Sequence, residues 1–327
     1  MTLIYTASTF SDFKGYQKEK KIGEGTYATV YTGLALPRAS DEQPVKVAIK
    51  KMKPGLFKDG LDMSGIREIK YLQELRHTNI ILLHDVFCQK QALHLVLEFL
   101  DADLEMIIKN KGVVFSGADI KSWMMMLLRG DLKPNNLLLA SDGTLKIADF
   151  GLARIFGDPR HGMTSQVVTL WYRSPELLLG SKLYGGAVDI WSVGCIFGEL
   201  MLRTPYFASE TEIGQLTTIM RARGTPKESD WPGMKQLPDY FEFTQYPGAP
   251  SRQIFTAASA DALELLDAML LYDPLKRPTA EQALEYEYFK IYPRPTKPSK
   301  LPRDVGKNDN KRKAEDDGNK IAKKLFQ

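Results

Sequence analysis

A chain of 327 residues, 43% hydrophobic and 26% charged, is long enough for one large domain or two modest ones around a sizeable core. Its formal charge of +4 is too mild to mark a nucleic-acid binder, the more so because basic residues collect near the C-terminus, and its longest apolar runs, such as Trp123 to Leu128, are far too short to span a bilayer. Two cysteines far apart in sequence, Cys88 and Cys195, and four histidines without metal-ligand spacing exclude a disulfide framework and a zinc-type site, and point to reduced thiols in a cytosolic or nuclear protein.

Met1 to Phe13 lacks a basic start followed by a continuous apolar run, so it is not read as a secretory signal. From Tyr16 to about Leu36 the pattern predicts strand, glycine-rich turn, strand. A polar connection follows, and then a buried strand ending in Val47-Ala48-Ile49-Lys50. Ile66, Ile69, Leu72 and Leu75 fall at near-helical spacing, and Leu93 to Leu100 reads as another apolar strand. The first hundred residues are thus mostly sheet with one helix. Beyond them, Ile120, Trp123, Met124, Leu127 and Leu128 predict a one-faced helix. Leu137–Ala140 and Leu145–Phe150 form a small hairpin with their turn. Helices are expected over Ala187–Leu202, Asp261–Tyr272 and Thr279–Phe289, with a turn at Asp273–Pro278. From about Lys290 the chain turns Pro-, Lys- and Asp-rich, a tail with little to bury.

Gly23 to Val30, "GEGTYATV", lies between two strand patterns. Glycines let a backbone approach phosphates closely, although a two-glycine turn is equally an ordinary hairpin turn. A lysine ending a strand, Lys50, is commonly solvated. Beside a phosphate loop it would neutralise nucleotide charge, with Glu68 on the next helix as its partner. "DLKPNN" offers Asp131, Lys133 and Asn136 in one short loop, and "ADFG" offers Asp149; hard oxygens from Asn and Asp suit Mg2+. Each piece alone has a plain turn reading. Their order in one chain, ending in "SPE" at Ser174 to Glu176, is what makes an unrelated fold a poor explanation.

These residues resemble a eukaryotic protein kinase over roughly Tyr16 to Phe289, and within kinases the cyclin-dependent family. "GIREIKYLQEL" resembles the cyclin-contacting helix, "VVTLWYRSPELLLG" the substrate-side loop, and "GTPKESDWPGM" with "LPDYFEF" the group's insert. "EGTYATVY", "DLEMIIK", "PGAPSRQIFTAASADALELL" and "KKLF" are similar to the members that serve general transcription factor IIH.

The resemblance implies an α+β, bilobal kinase fold. Its small, mostly β lobe would span about 16–99 and a larger, mostly α lobe about 100–289, between an extension at 1–15 and a disordered basic tail at 290–327. It implies ATP and Mg2+ as cofactors. Ile22, Gly23, Glu24, Gly25, Thr26, Tyr27, Ala28, Val30, Ala48 and Lys50 would cover the nucleotide, backbone groups of Glu98 and Leu100 would read adenine, and Asp103 would sit near the ribose. Asp131 would be the base, with Lys133, Lys50, Glu68 and Thr169 beside it, and Asn136 and Asp149 would hold the metal. Thr164 matches an activating phosphothreonine held by Arg67 and Arg154, Tyr27 an inhibitory phosphotyrosine, and Val168 and Arg173 a pocket for the proline after a target Ser or Thr. Implied partners are a cyclin of the H type, an assembly factor and the transcription factor IIH core. Implied substrates are the RNA polymerase II C-terminal repeats and the activation loops of other cyclin-dependent kinases. The implied location is the nucleus, with neither a membrane nor direct nucleic-acid binding.

One departure stands out. The family pattern has His-Arg before the base aspartate, after a long helix and a short strand. Here Arg129-Gly130 precedes Asp131, and about a dozen residues are absent. The helix would stop after roughly 13 residues, about 20 Å at 1.5 Å per residue. Lost buried side chains cost roughly 2–5 kcal/mol each, and a third phosphate-binding arginine is gone. A misplaced exon boundary, a short isoform, or a kinase that has given up catalysis and serves as a cyclin-binding scaffold would each leave this mark. A cell-cycle cyclin-dependent kinase is the catalytic alternative.

Overall fold

A computed structural model of the chain describes residues 2–5, 13–24, 28–37, 42–53, 63–89, 92–100, 102–129, 137–148 and 170–302. They fall into two compact units.

The first unit is built on an antiparallel six-stranded sheet with order β1-β2-β3-β4-β6-β5. Its strands are β1 (Thr2–Tyr5), β2 (Phe13–Glu24), β3 (Ala28–Pro37), β4 (Val45–Met52), β5 (Leu83–Gln89) and β6 (Ala92–Glu98). Because side chains alternate between faces, the pairing register sorts them. Val47 and Ile49 share one face with Tyr16, Ala35 and Val96, all fully buried, and Tyr31 and Phe87 pack against that cluster. The register Gly23↔Val30, Val30↔Lys50 and Lys50↔Leu95 runs a single row across four strands on the opposite face. Gly33 has no room for a side chain, since a Cβ there would lie 2.7 Å from Ile49 Cδ1 and 2.9 Å from Gln17 O.

Helix α1 (Met63–Glu74) belongs to the same unit, with Leu72 buried. A small sheet of β7 (Ala102–Asp103), β8 (Leu137–Leu139) and β9 (Leu145–Ile147) completes it. Asn79 donates to Leu145 O at 2.7 Å, and Ile80 bridges Ile147, which ties the segment after α1 to this hairpin.

The second unit is helical. It contains α2 (Leu104–Lys109, from its second residue), α3 (Gly117–Arg129), α4 (Pro175–Leu178), α5 (Ala187–Leu202), α6 (Glu212–Arg223), α7 (Ser251–Ile254), α8 (Ala260–Met269), α9 (Ala280–Leu284) and α10 (Glu287–Lys290). Helix α5 is apolar on all sides and is the centre of this unit: Trp191, Phe197 and Leu200 are fully buried. It ends at Arg203, whose φ of 61° is left-handed. The Arg203 guanidinium then donates to the carbonyls of Ile108, Asn110 and Val113, pinning the segment after α2. Thr279 and Gln282 form a reciprocal capping box at α9.

Three expectations change. The extension before Tyr16 contributes a strand, because β2 offers β1 an open edge that no local pattern reveals. Helix α3 is buried on more than the predicted stripe, with Lys121, Ser122 and Met126 also covered. The cover comes partly from 291–302, expected to be tail. Lys121 Nζ donates to Ile291 O and Pro293 O at 2.9 and 2.8 Å, Thr296 N donates to Ala118 O, and Leu301 is buried. Proline-rich sequence satisfied by side-chain donors needs no regular pattern, so composition alone read it as unfolded.

Candidate functional site

Strands β2, β3 and β4 place the described members of the first group of expected residues on the sheet. Gly23, Ala28, Val30 and Ala48 are buried, Ile22 is half-buried and Glu24 is exposed. Glu24 accepts from Lys21 and from Lys53, the latter at 2.8 Å, and these ammonium groups, Lys21 first, hold its carboxyl down at about 2.

Lys50 is the chemically telling residue. Only 3% of it is exposed, and its Nζ lies 2.7 and 2.8 Å from the two carboxylate oxygens of Glu68, itself 2% exposed. Strand β4 supplies the lysine and α1 the glutamate, 18 residues later. Burial of an ion pair costs several kcal/mol of desolvation per ion, so such a pair is a poor device for stability alone. It fixes an ammonium group in a dry place on the same sheet face as Val30 and Leu95.

Glu98 at the end of β6 accepts from Lys146 Nζ at 2.7 Å and from Leu82 N at 2.7 Å. Its own N–H donates to Leu82 O. Leu100 and Asp103 are buried. Arg67 lies on α1, one residue before Glu68, and is half-buried. In the second unit Arg173 is 9% exposed and pairs with Glu212 of α6 at 2.5 Å.

Gly25, Thr26, Tyr27, Asp131, Lys133, Asn136, Asp149, Arg154, Thr164, Val168 and Thr169 lie outside the described residues. The hairpin that flanks two of them is described: Leu137 pairs with Ile147, next in sequence to Asn136 and to Ala148-Asp149. The donor chemistry of Asn136 and Asp149, two hard side-chain oxygens, fits Mg2+. Among the described residues no cluster of three or more His, Cys, Asp or Glu could hold a metal, and no helix is long and apolar enough to cross a membrane.

Sequence reasoning overlooked two polar anchors. Lys146 holds Glu98, and Arg277 holds Glu176 of the Ser-Pro-Glu motif through two hydrogen bonds. A charged residue within an apolar strand or turn was the available signal in each case.

A family model described as a protein kinase domain matches residues 16–289. The chain is 54% identical over 310 residues to serine/threonine-protein kinase crk1 of Schizosaccharomyces pombe, which covers 90% of this chain and 91% of that protein. It is 51% identical over 302 residues to serine/threonine-protein kinase KIN28 of Saccharomyces cerevisiae, covering 88% and 97%. Cyclin-dependent kinase 7 of Xenopus laevis is 48% identical over 306 residues, covering 89% and 85%. Among solved structures, a chain of the CAK complex from Chaetomium thermophilum bound to ATP-gamma-S matches with a TM-score of 0.80 and 47% identity, over 88% of this chain and 94% of that one.

Proposed function

The chain belongs to the protein kinases, as a serine/threonine kinase of the cyclin-dependent type with the α+β, two-lobed kinase fold, and from that premise we propose that it transfers the γ-phosphoryl group of Mg·ATP to Ser or Thr followed by Pro. The proposed targets are the RNA polymerase II C-terminal repeats and the activation loops of other cyclin-dependent kinases, in the nucleus. A cyclin of the H type, an assembly factor and the transcription factor IIH core are the proposed partners. The single observation that carries a catalytic reading is the dry Lys50–Glu68 pair, an expensive arrangement with a clear use beside phosphate oxygens.

In this reading 16–289 is the catalytic domain. Lys50 neutralises phosphate charge and Glu68 keeps its ammonium group aimed. Because the Glu98 N–H is committed to Leu82 O, adenine is left the Glu98 carbonyl and the main chain of Leu100. Asp131 accepts the substrate hydroxyl proton, Lys133 steadies the transferring group, and Thr169 hydrogen-bonds near Asp131. Asn136 and Asp149 hold Mg2+, which screens the phosphates when bound. Thr164 takes the activating phosphate between Arg67 and Arg154, Tyr27 an inhibitory one, and Val168 with Arg173 shapes the proline pocket. Ile66 of α1, 39% exposed, supports a partner covering that helix.

The second reading is an impaired kinase retained as a cyclin-binding scaffold. Helix α3 favours it: its described residues are the 13 from Gly117 to Arg129, and the sequence reaches Asp131 two residues later. Radiolabelled ATP, a Ser-Pro heptad-repeat peptide and the cyclin-bound chain separate the two. Transfer that disappears in Asp131→Asn supports the kinase. Cyclin binding without any transfer, both as the chain stands and with the missing segment restored, overturns it.

A further inference from the structure

Lys146 stands on β9 between two buried residues, Leu145 and Ile147. The register of the small sheet sets Lys146 opposite Leu138, and Leu138 next to Asp103 in turn. Directly paired residues share one face of a sheet, so a single row runs from Lys146 to the buried Asp103. At the end of β6, Glu98 is held by side chain and main chain at once. Its Oε1 accepts from Lys146 Nζ and from Leu82 N, both at 2.7 Å, and its N–H donates to Leu82 O at 3.0 Å. The next residue, Phe99, has Lys46 Nζ 3.7 Å from its ring centroid.

Residues 79–82 fill the space between β9 and the end of β6. Asn79 Nδ2 donates to Leu145 O, Ile147 N donates to Asn79 O, and Ile81 N donates to Ile147 O. The two strands are therefore joined twice, through this segment and directly through the Lys146–Glu98 pair. The side chains of that pair are 16% and 20% exposed, and an ion pair that solvent reaches adds little stability. What it fixes is geometry: the distance between the main chain at 98–100 and the sheet face that carries Asp103.

We infer, resting on the kinase reading above, that Lys146 is a positioning residue for the nucleoside half of ATP: through Glu98 it holds the adenine-reading main chain in step with Asp103 beside the ribose. Lys146 acts on the nucleotide only through Glu98. Without it Glu98 keeps its Leu82 N–H partner, so the fold survives, but the adenine-reading stretch and the small sheet are free to shift against each other. The phosphate end of the nucleotide, met by Lys50, is untouched by that shift.

The test titrates ATP, and separately inorganic tripolyphosphate, into the full-length chain and its variants by calorimetry with Mg2+ present. Lys146→Met is expected to weaken ATP about tenfold, and to raise KM for ATP by a similar factor with a far smaller change in kcat. Tripolyphosphate, which lacks base and ribose, is expected to bind the variant as it binds the parent, and the melting temperature to stay unchanged. Lys146→Arg, which keeps the ion pair, is expected to recover most of the ATP affinity. Glu98→Gln combined with Lys146→Met is expected to be no weaker for ATP than the worse of the two single variants, because both remove one interaction. Unchanged ATP affinity in Lys146→Met overturns the inference and leaves the kinase reading standing. Equal loss of ATP and tripolyphosphate, failure of Lys146→Arg to recover affinity, or additive losses in the double variant also overturn it. A parent chain that binds no ATP overturns the kinase reading and this inference with it.

Discussion

Arg277 and Glu176, 101 residues apart in sequence, meet as a buried two-pronged ion pair, with Nη1 2.7 Å from Oε1 and Nη2 2.8 Å from Oε2. The guanidinium also donates to the carbonyls of Leu271, Tyr272 and Ala187 and lies 5.0 Å from the Trp191 ring centroid. It therefore ties α4, α5 and the turn after α8 together. Removing the arginine strands a carboxylate that is 3% exposed. Arg277→Met is expected to cost about 3–5 kcal/mol by urea unfolding. Replacing both partners with apolar residues of similar size is expected to recover much of that loss.

The Lys50–Glu68 pair calls for a different readout. Lys50→Met is expected to lower peptide phosphorylation by about a hundred-fold or more, as does removal of one charge-stabilising donor in other active sites. Cyclin binding should survive. Retention of full turnover in Lys50→Met removes the lysine from the chemistry.

His94 supplies a pH dependence. It is 3% exposed, stacks on Phe87 at 4.8 Å between centroids and donates from Nδ1 to Ala92 O. Burial pushes its pKa below the usual 6.5, and Lys51 and Lys18 push the same way against the Ala92 carbonyl. The unfolded chain thus binds this proton more readily than the folded one. Stability is fully present above about pH 6.5 and is lost as pH falls from there through the folded value, by at most about 1.4 kcal/mol per pH unit. His94→Phe, which keeps the stack, is expected to flatten the urea midpoint between pH 5 and 6.5 relative to the parent chain.

Gly248 sits at φ 73° with Gly224 N 2.4 Å from where a Cβ would stand. A side chain there meets both a left-handed backbone and immovable main chain. Gly248→Ala is expected to cost about 2 kcal/mol or more in thermal unfolding. A neutral result would mean that the loop after Tyr246 relaxes freely.

Restoring the segment of about a dozen residues before Asp131 is expected to raise both melting temperature and turnover, since it would extend α3 and, on the proposed reading, supply a third arginine for a phosphate on Thr164. Equal turnover of the two versions would mean that the short α3 carries no penalty.

Legibility in the sequence followed the range of the physical cue. Helix α5 was readable to the residue because sixteen nearly continuous apolar positions leave no other reading. The β8–β9 hairpin and the Lys50–Glu68 pair were readable because alternation and order along the chain encode them. Lys121 was not: a lysine inside an apolar stripe becomes buried only because two carbonyls, 170 and 172 residues away, accept from it. His94 looked like a bystander for the same reason, since its stack on Phe87 exists only once β5 pairs with β6. The expected base loop, metal ligands and Thr164 lie outside the described residues and keep their sequence-level reading.

The pairing of β1 with β2 also decides which backbone borders the solvent on that side of the sheet. Leu3 stands opposite Gln17 and Ile4 opposite Tyr16, so β1 covers an edge that β2 would otherwise present unpaired. Proteolytic trimming ahead of Phe13 would therefore lay bare the very strand that leads into Gly23, and an affinity tag fused at Met1 would tug on it.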